Sequence, residues 1–167
     1  HNFNVTVFNN EFDDKISSQP CGTNTGLVCS STGEYADLGY ALSSTTVNID
    51  KVTITGAEVA GRWQFLETLA LRGNYTFTDS EQKSGANKGQ PLNNSARHMT
   101  NLTLDWEATS DLKLSLVGEI RTKRYRSWDV INQQALYYKA YEVIHLGASY
   151  QASPTVTFNA RINNLLD

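Results

Sequence analysis

The sequence predicts an all-β protein: about seven antiparallel, up-and-down strands forming part of a transmembrane β-barrel. Three observations carry this expectation. Apolar and polar residues alternate with period two over most of the chain, while helical periodicity is nearly absent. Connections between the alternating stretches are short and long by turns. Aromatic residues collect on the apolar parity near the short connections, where an interfacial girdle belongs.

The strands follow in order. Phe3, Val5 and Val7 oppose Asn4 and Thr6. Around Thr53–Phe65 the pattern is weaker, with Ala57, Val59, Trp63 and Phe65 against Glu58, Arg62 and Gln64. Leu69, Leu71, Tyr75 and Phe77 oppose Arg72, Asn74 and Thr76. Within Asn101–Ala108, Leu102, Leu104 and Trp106 oppose Thr103, Asp105 and Glu107. Leu112–Thr122 is clearest: Leu112, Leu114, Leu116, Gly118 and Ile120 face away from Lys113, Ser115, Val117, Glu119 and Arg121. Ile144, Leu146, Ala148 and Tyr150 oppose His145 and Ser149; Val156, Phe158, Ala160 and Ile162 oppose Thr157, Asn159, Arg161 and Asn163.

Alternation alone does not say which face is wet, because a soluble β-sandwich alternates too. The connections break the tie. Short ones fall near Leu66–Thr68, Thr109–Asp111 and Ala152–Pro154. Long polar ones fall near Ser17–Thr45, Asp79–Ala96 and Arg126–Lys139. Tight turns at one end and long loops at the other are the pattern of an outer-membrane barrel, and Trp63, Phe65, Trp106 and Tyr150 sit at the short-turn end. Seven strands beginning at the short-turn side do not close such a barrel simply, so a piece of a larger barrel is expected.

Composition sets the outer limits. The chain is 40% hydrophobic and 19% charged, with mean hydropathy −0.41. No stretch approaches the roughly 20 apolar residues of a transmembrane helix. A net charge of −3 without a basic stripe argues against nucleic acid as a partner. The chain starts at His1 without Met, as a processed or partial chain would.

Cys21 and Cys29 are the only cysteines and lie in a polar run rich in Gly, Thr, Asn and Ser. A disulfide closing that loop is expected over two free thiols, contributing about 2–3 kcal/mol by chain entropy and implying an oxidising compartment. Two thiols without a His or carboxylate cluster make a poor metal site, and the adjacent pair His98–Met99 builds none either. There is no phosphate loop, zinc-binding His pair or nucleophile motif, so no enzyme, catalytic residue, metal or cofactor is expected.

Four segments carry a resemblance. They are NYTFTDSEQKSGANKGQPLNNSARHMTNLTLDW at Asn74–Trp106, VTVFNNEFDDKI at Val5–Ile16, the spaced Asn48, Gly56 and Glu58, and NNLLD at Asn163–Asp167. Together they resemble the late barrel strands of TonB-dependent receptors for catecholate siderophores. The resemblance covers essentially the whole chain; the first segment is specific, while the last two are individually weak. It implies about strands 15 to 21 of a 22-stranded barrel in the bacterial outer membrane, with residues 1–167 all barrel and the plug domain and TonB box absent. It further implies a ferric siderophore as cargo and TonB as the energising partner, engaged through the absent N-terminal part. Outer-membrane lipid and lipopolysaccharide would surround the wall, and colicins or phage are further candidate users of its loops.

An anionic ferric catecholate at the mouth would be met by Arg, Lys and aromatic side chains. Arg121, Lys123, Arg124, Tyr125, Arg126 and Trp128, where a strand enters a long loop, form the best such cluster, and Arg97, which flanks the neighbouring long loop, is added as a further candidate. The plainer alternative is a solvated loop, or one bridging lipopolysaccharide phosphates. Lys83, Lys88 and His98 flank the neighbouring loop and read as ordinary loop charge. Glu58, Arg62, Arg72, Asp105, Glu119, His145 and Arg161 are expected on the lumen wall. Two other architectures stay open at this level: another outer-membrane channel or adhesin barrel, and a soluble carbohydrate-binding β-sandwich.

Overall fold

A computed structural model describes residues 1–21, 44–85 and 87–166, excluding the side chains of Gln19, Pro20 and Asp50. Nine strands follow: β1 (Asn2–Pro20), β2 (Ser44–Leu66), β3 (Leu69–Gln82), β4 (His98–Glu107), β5 (Leu112–Arg121), β6 (Arg124–Asp129), β7 (Gln134–Tyr138), β8 (Tyr141–Ser153) and β9 (Val156–Ile162). Seven form one antiparallel sheet in the order β1-β2-β3-β4-β5-β8-β9, and β6-β7 form a separate hairpin. The expected seven-strand up-and-down wall is there, open rather than closed on itself. The long connection expected at Arg126–Lys139 is not plain loop but mostly this hairpin.

Register carries the apolar parity across the whole sheet. Trp63 pairs with Leu71, Leu71 with Leu104, Leu104 with Leu116, Leu116 with Leu146 and Leu146 with Ile162. Six apolar side chains therefore stand in one row on one face, since partners in register share a face. No second sheet covers that face among the described residues, and Leu102, Leu116, Ile120 and Phe158 remain exposed on it. A sandwich would have buried it, so the soluble-sandwich expectation does not hold.

At the short-turn end Trp63 and Phe65 pack with ring centroids 5.5 Å apart. Trp106, Tyr150 and Phe158 continue the belt, the last two paired across β8 and β9. At the other end the outward parity changes character at one level. Val7, Ala57 and Phe77 share a row, and the next outward row is Asn9, Thr55 and Asp79. Beyond it stand Glu11, Thr53 and Glu81, then Asp13 and Lys51. From Phe65 to Ala57 is about 27 Å along the strand, matching the roughly 25 Å apolar band of such barrels. β1, β2 and β3 continue past that band.

The small apolar core lies in this extension. Ile49, Val52 and Leu92 are buried together, with Val47 and Ile54 against them. Leu92 comes from the β3–β4 connection, which is tied down by polar bonds. Its backbone N–H donates to Ser80 Oγ at 3.0 Å, and Gln82 Nε2 donates to the Pro91 carbonyl at 2.8 Å. Asn93 Nδ2 donates to the Ser18 carbonyl at 3.0 Å. This connection thus joins β1 to β3 and braces the neighbouring site. Cys21 directly follows β1 and is disulfide-bonded; Cys29, and so the expected loop closure, lies outside the described residues.

Candidate ligand-binding mouth

The inner face supplies a charged, hydrogen-bonded wall. Arg72 Nε donates to Asp105 Oδ2 at 2.8 Å across β3 and β4. Lys113 Nζ meets Glu107 Oε1 at 2.9 Å. Glu119 lies 3.9 Å from both Arg121 Nη2 and His145 Nε2. Glu58, Arg62 and Arg161 share this parity but form no ion pair among the described residues.

Where β5 and β8 end, their register is carried on by the hairpin. Arg121 pairs with Tyr141, and after a break at Thr122–Lys123 and Lys139–Ala140, Arg124 pairs with Tyr138 and Tyr125 with Tyr137. The hairpin is therefore an upward extension of the β5–β8 pair. Its tip is set by turn chemistry. Asp129 accepts from the N–H groups of Ile131 at 3.0 Å and Asn132 at 3.1 Å, and from Asn132 Nδ2 at 2.8 Å. These bonds, the Asn132 side chain foremost, hold the Asp129 carboxyl below its ordinary range. Its base is anchored where Ala96 bridges Arg124 and the Asn94 N–H donates to the Tyr125 carbonyl at 2.8 Å.

A cavity of about 580 Å³ opens between the upper part of β3, the β3–β4 connection and the hairpin. Arg97, His98, Lys123, Tyr125 and Tyr137 line it with the hydroxyl residues Thr78, Ser80, Ser95 and Thr122. Arg97 donates through Nε to Asp79 at 3.1 Å, and that bond raises the guanidinium's pKa. Lys123 Nζ lies 4.2 Å from the centre of the Tyr137 ring. With Arg97 answered by Asp79, the Lys123 ammonium is the lysine or arginine charge of the lining that has no acidic partner among the described residues. His98 Nδ1 and the Tyr75 hydroxyl are 2.7 Å apart, and the His98 backbone N–H donates to Thr122 Oγ1 at 3.1 Å.

The residues expected at the mouth sort into three groups. Arg97, Lys123 and Tyr125 line the cavity. Arg124 and Arg126 stack on tyrosines: Arg124 is 5.4 Å from the Tyr138 ring centre and 5.3 Å from that of Tyr141, and Arg126 is 5.7 Å from Tyr138. Arg121 and Trp128 join neither. Arg121 belongs to the inner wall, where Nη2 donates to Asn101 Oδ1 at 2.7 Å and Nη1 to the Thr100 carbonyl at 2.9 Å. Trp128 pairs with Ala135 in the hairpin. Lys83 is taken up by Glu81. The sequence reading passed over Tyr137, Tyr138 and Tyr141, although the spaced tyrosines of LYYKAY facing the RYR segment were a signal available in the chain.

Comparison with known proteins fits this geometry. The family model for "TonB dependent receptor-like, beta-barrel" matches residues 1–165. An iron-regulated outer membrane virulence protein of Vibrio cholerae is 32% identical over 163 residues, covering 98% of this chain and 24% of that protein. A ferric enterobactin receptor of Pseudomonas aeruginosa is 27% identical over 174 residues, 98% of this chain and 22% of its own length. The chain thus spans about a quarter of these relatives. Among solved structures, the siderophore receptor PirA from Acinetobacter baumannii aligns with TM-score 0.68 at 20% identity, over 99% of this chain and 25% of that one. A ferric enterobactin receptor mutant from Pseudomonas aeruginosa in complex with enterobactin aligns with TM-score 0.67 at 24% identity, over 99% and 24%. At such identities these two show a shared fold. The chain is a stretch of outer-membrane wall and belongs to the TonB-dependent receptor β-barrel family.

Proposed function

We propose that this chain forms part of the wall and extracellular mouth of a receptor that takes up ferric catecholate siderophores with energy supplied through TonB. The carrying observation is the basic and aromatic surface at the long-loop end. Lys123 lies on Tyr137, Arg124 on Tyr138 and Tyr141, and Arg126 on Tyr138, beside a cavity of about 580 Å³. Planar anionic ligands suit such a surface: the cations answer the charge, and the rings stack. The volume lies within the range of small-molecule sites.

The relatives' names support the ligand class, since one is a ferric enterobactin receptor and another an iron-regulated outer membrane protein. The role is transport rather than catalysis. The mouth residues are Arg97, Lys123, Arg124, Tyr125 and Arg126, with Tyr137, Tyr138 and Tyr141 added. The test is binding of ferric enterobactin to the full-length protein in outer membranes, with Lys123→Ala and Arg124→Ala alongside. Weaker binding by both variants, with wild-type affinity falling as salt rises, supports the proposal. Wild-type protein that binds no ferric catecholate, or variants that bind as wild type, would sink it.

A further inference from the structure

The turn-side half of the inner wall holds a second concavity, of about 580 Å³. Its floor is low because register brings small residues together: Asp105 pairs with Ser115, Ser115 with Gly147 and Gly147 with Arg161. Ser115 Oγ fills the space beside Gly147, 2.5 Å from where a Cβ would stand. Charged side chains rise around this floor. Arg62, Lys113 and Arg161 supply the cations, Asp105 and Glu107 the anions. Both carboxylates are taken, Asp105 by Arg72 and Glu107 by Lys113. Arg62 and Arg161 are exposed and have no acidic partner among the described residues.

Arg62 is the more telling of the two. It pairs directly with Arg72 across β2 and β3, and like charges placed opposite each other repel. The one carboxylate near them, that of Asp105, bonds Arg72 alone. Arg62 has only the neutral Gln64 Oε1, at 3.3 Å. An anion brought into the groove would relieve this repulsion. Between the mouth and the groove, the inner-wall cations Arg72 and Arg121 each have an acid within 4.0 Å. Unanswered cations thus stand at the two ends of the wall and not along it.

We propose that Arg62 and Arg161 form a second, turn-side station for the anionic cargo, occupied after it leaves the mouth and before it leaves the lumen. The proposal rests on the receptor function above and adds a step to it. Charge complementarity selects the cargo, since the groove offers two free guanidiniums and no free carboxylate. Exposure keeps each contact weak, and a weak contact suits a transit site, which must release what it captures.

The experiment uses the full-length receptor in cells, with ferric enterobactin as the probe. Equilibrium binding is measured on de-energised cells, and the initial uptake rate on energised ones. Arg62→Gln and Arg161→Gln should bind as wild type at the mouth. Uptake should fall about two- to fivefold for each, the range for one exposed charge contact. Arg62→Lys and Arg161→Lys keep the charge and should recover most of the rate. Wild-type uptake in the Arg62→Gln, Arg161→Gln double variant would overturn the station while leaving the receptor function standing. So would lysine variants as slow as the glutamine ones, or binding and uptake lost in equal measure. Slower uptake together with increased entry of an unrelated antibiotic would assign the arginines to an acidic protein segment seated in the lumen, and would also overturn it. Wild type that binds no ferric catecholate would remove both readings.

Discussion

Arg72 and Asp105 face each other across β3 and β4, with Nε donating to one carboxylate oxygen at 2.8 Å and Nη2 reaching the other at 3.4 Å. The pair is two-pronged but wet: the Arg72 side chain is 55% exposed and that of Asp105 32%. Geometry argues for strength and exposure against it, and exposure wins. A double-mutant cycle of Arg72→Ala and Asp105→Ala, read by unfolding of the membrane-embedded protein, should give a coupling of about 0.2–1 kcal/mol. The coupling should shrink as salt is raised. A coupling of several kcal/mol would mean that water is excluded from this part of the inner wall.

Asp129 makes the hairpin tip sensitive to acid. Its folded-state pKa lies below the ordinary 3.8, chiefly through the bonds from Asn132. A depressed carboxylate contributes stability in full above its unfolded pKa and loses it as pH falls through the folded value. The tip should therefore hold at neutral pH and at pH 5, and open only below about pH 4. Amide exchange across Val130–Gln134 would show it, and Asp129→Ala should exchange fast already at neutral pH. Protection that persists unchanged in Asp129→Ala would remove this role.

The wall and the mouth were unequally legible in the sequence. Leu112–Arg121 alternates so cleanly that its faces follow from parity alone, and register then aligns Leu104, Leu116 and Leu146 as the pattern requires. RYRSWD of β6 carries polar residues on both parities, so no binary pattern marks it as a strand. What makes it one is the inherited register of β5 and β8, together with the Asp129–Asn132 turn; that turn's Asp and Asn were present in the sequence as a local signal. The cavity was less legible still. It depends on Asn94 reaching Tyr125 and Asn93 reaching Ser18, contacts between residues far apart in sequence that no local pattern announces.

Gly61 sits opposite Phe3, whose ring lies over it. A Cβ there would come 2.6 Å from Phe3 Cδ1 and 2.9 Å from the Asn2 carbonyl oxygen. The ring could shift, but the carbonyl belongs to the β1–β2 ladder. Gly61→Ala should destabilise the protein by about 1–3 kcal/mol, the usual cost of overpacking. Adding Phe3→Ala should recover only the part due to the ring. Full recovery in the double variant would show that the backbone contact costs nothing, and wild-type stability in Gly61→Ala would show that the β1–β2 pair yields freely.

Leu116 and Ser115 are adjacent on β5 and point to opposite faces. Leu116 pairs with Leu104 and Leu146 in the middle of the apolar band, while Ser115 pairs with Asp105 on the inner wall. An arginine at Leu116 must sit in hydrocarbon or drag water to itself, at a cost of about 2–4 kcal/mol near mid-membrane. An arginine at Ser115 enters a polar lumen next to a carboxylate, although Ser115 Oγ is already close to where Gly147 would carry a Cβ, so it must extend away from β8. Leu116→Arg should accordingly lower folding yield into lipid vesicles and the stability of what folds, with Ser115→Arg close to wild type. The reverse order would invert the assignment of faces for the entire sheet, because register ties every strand to this one.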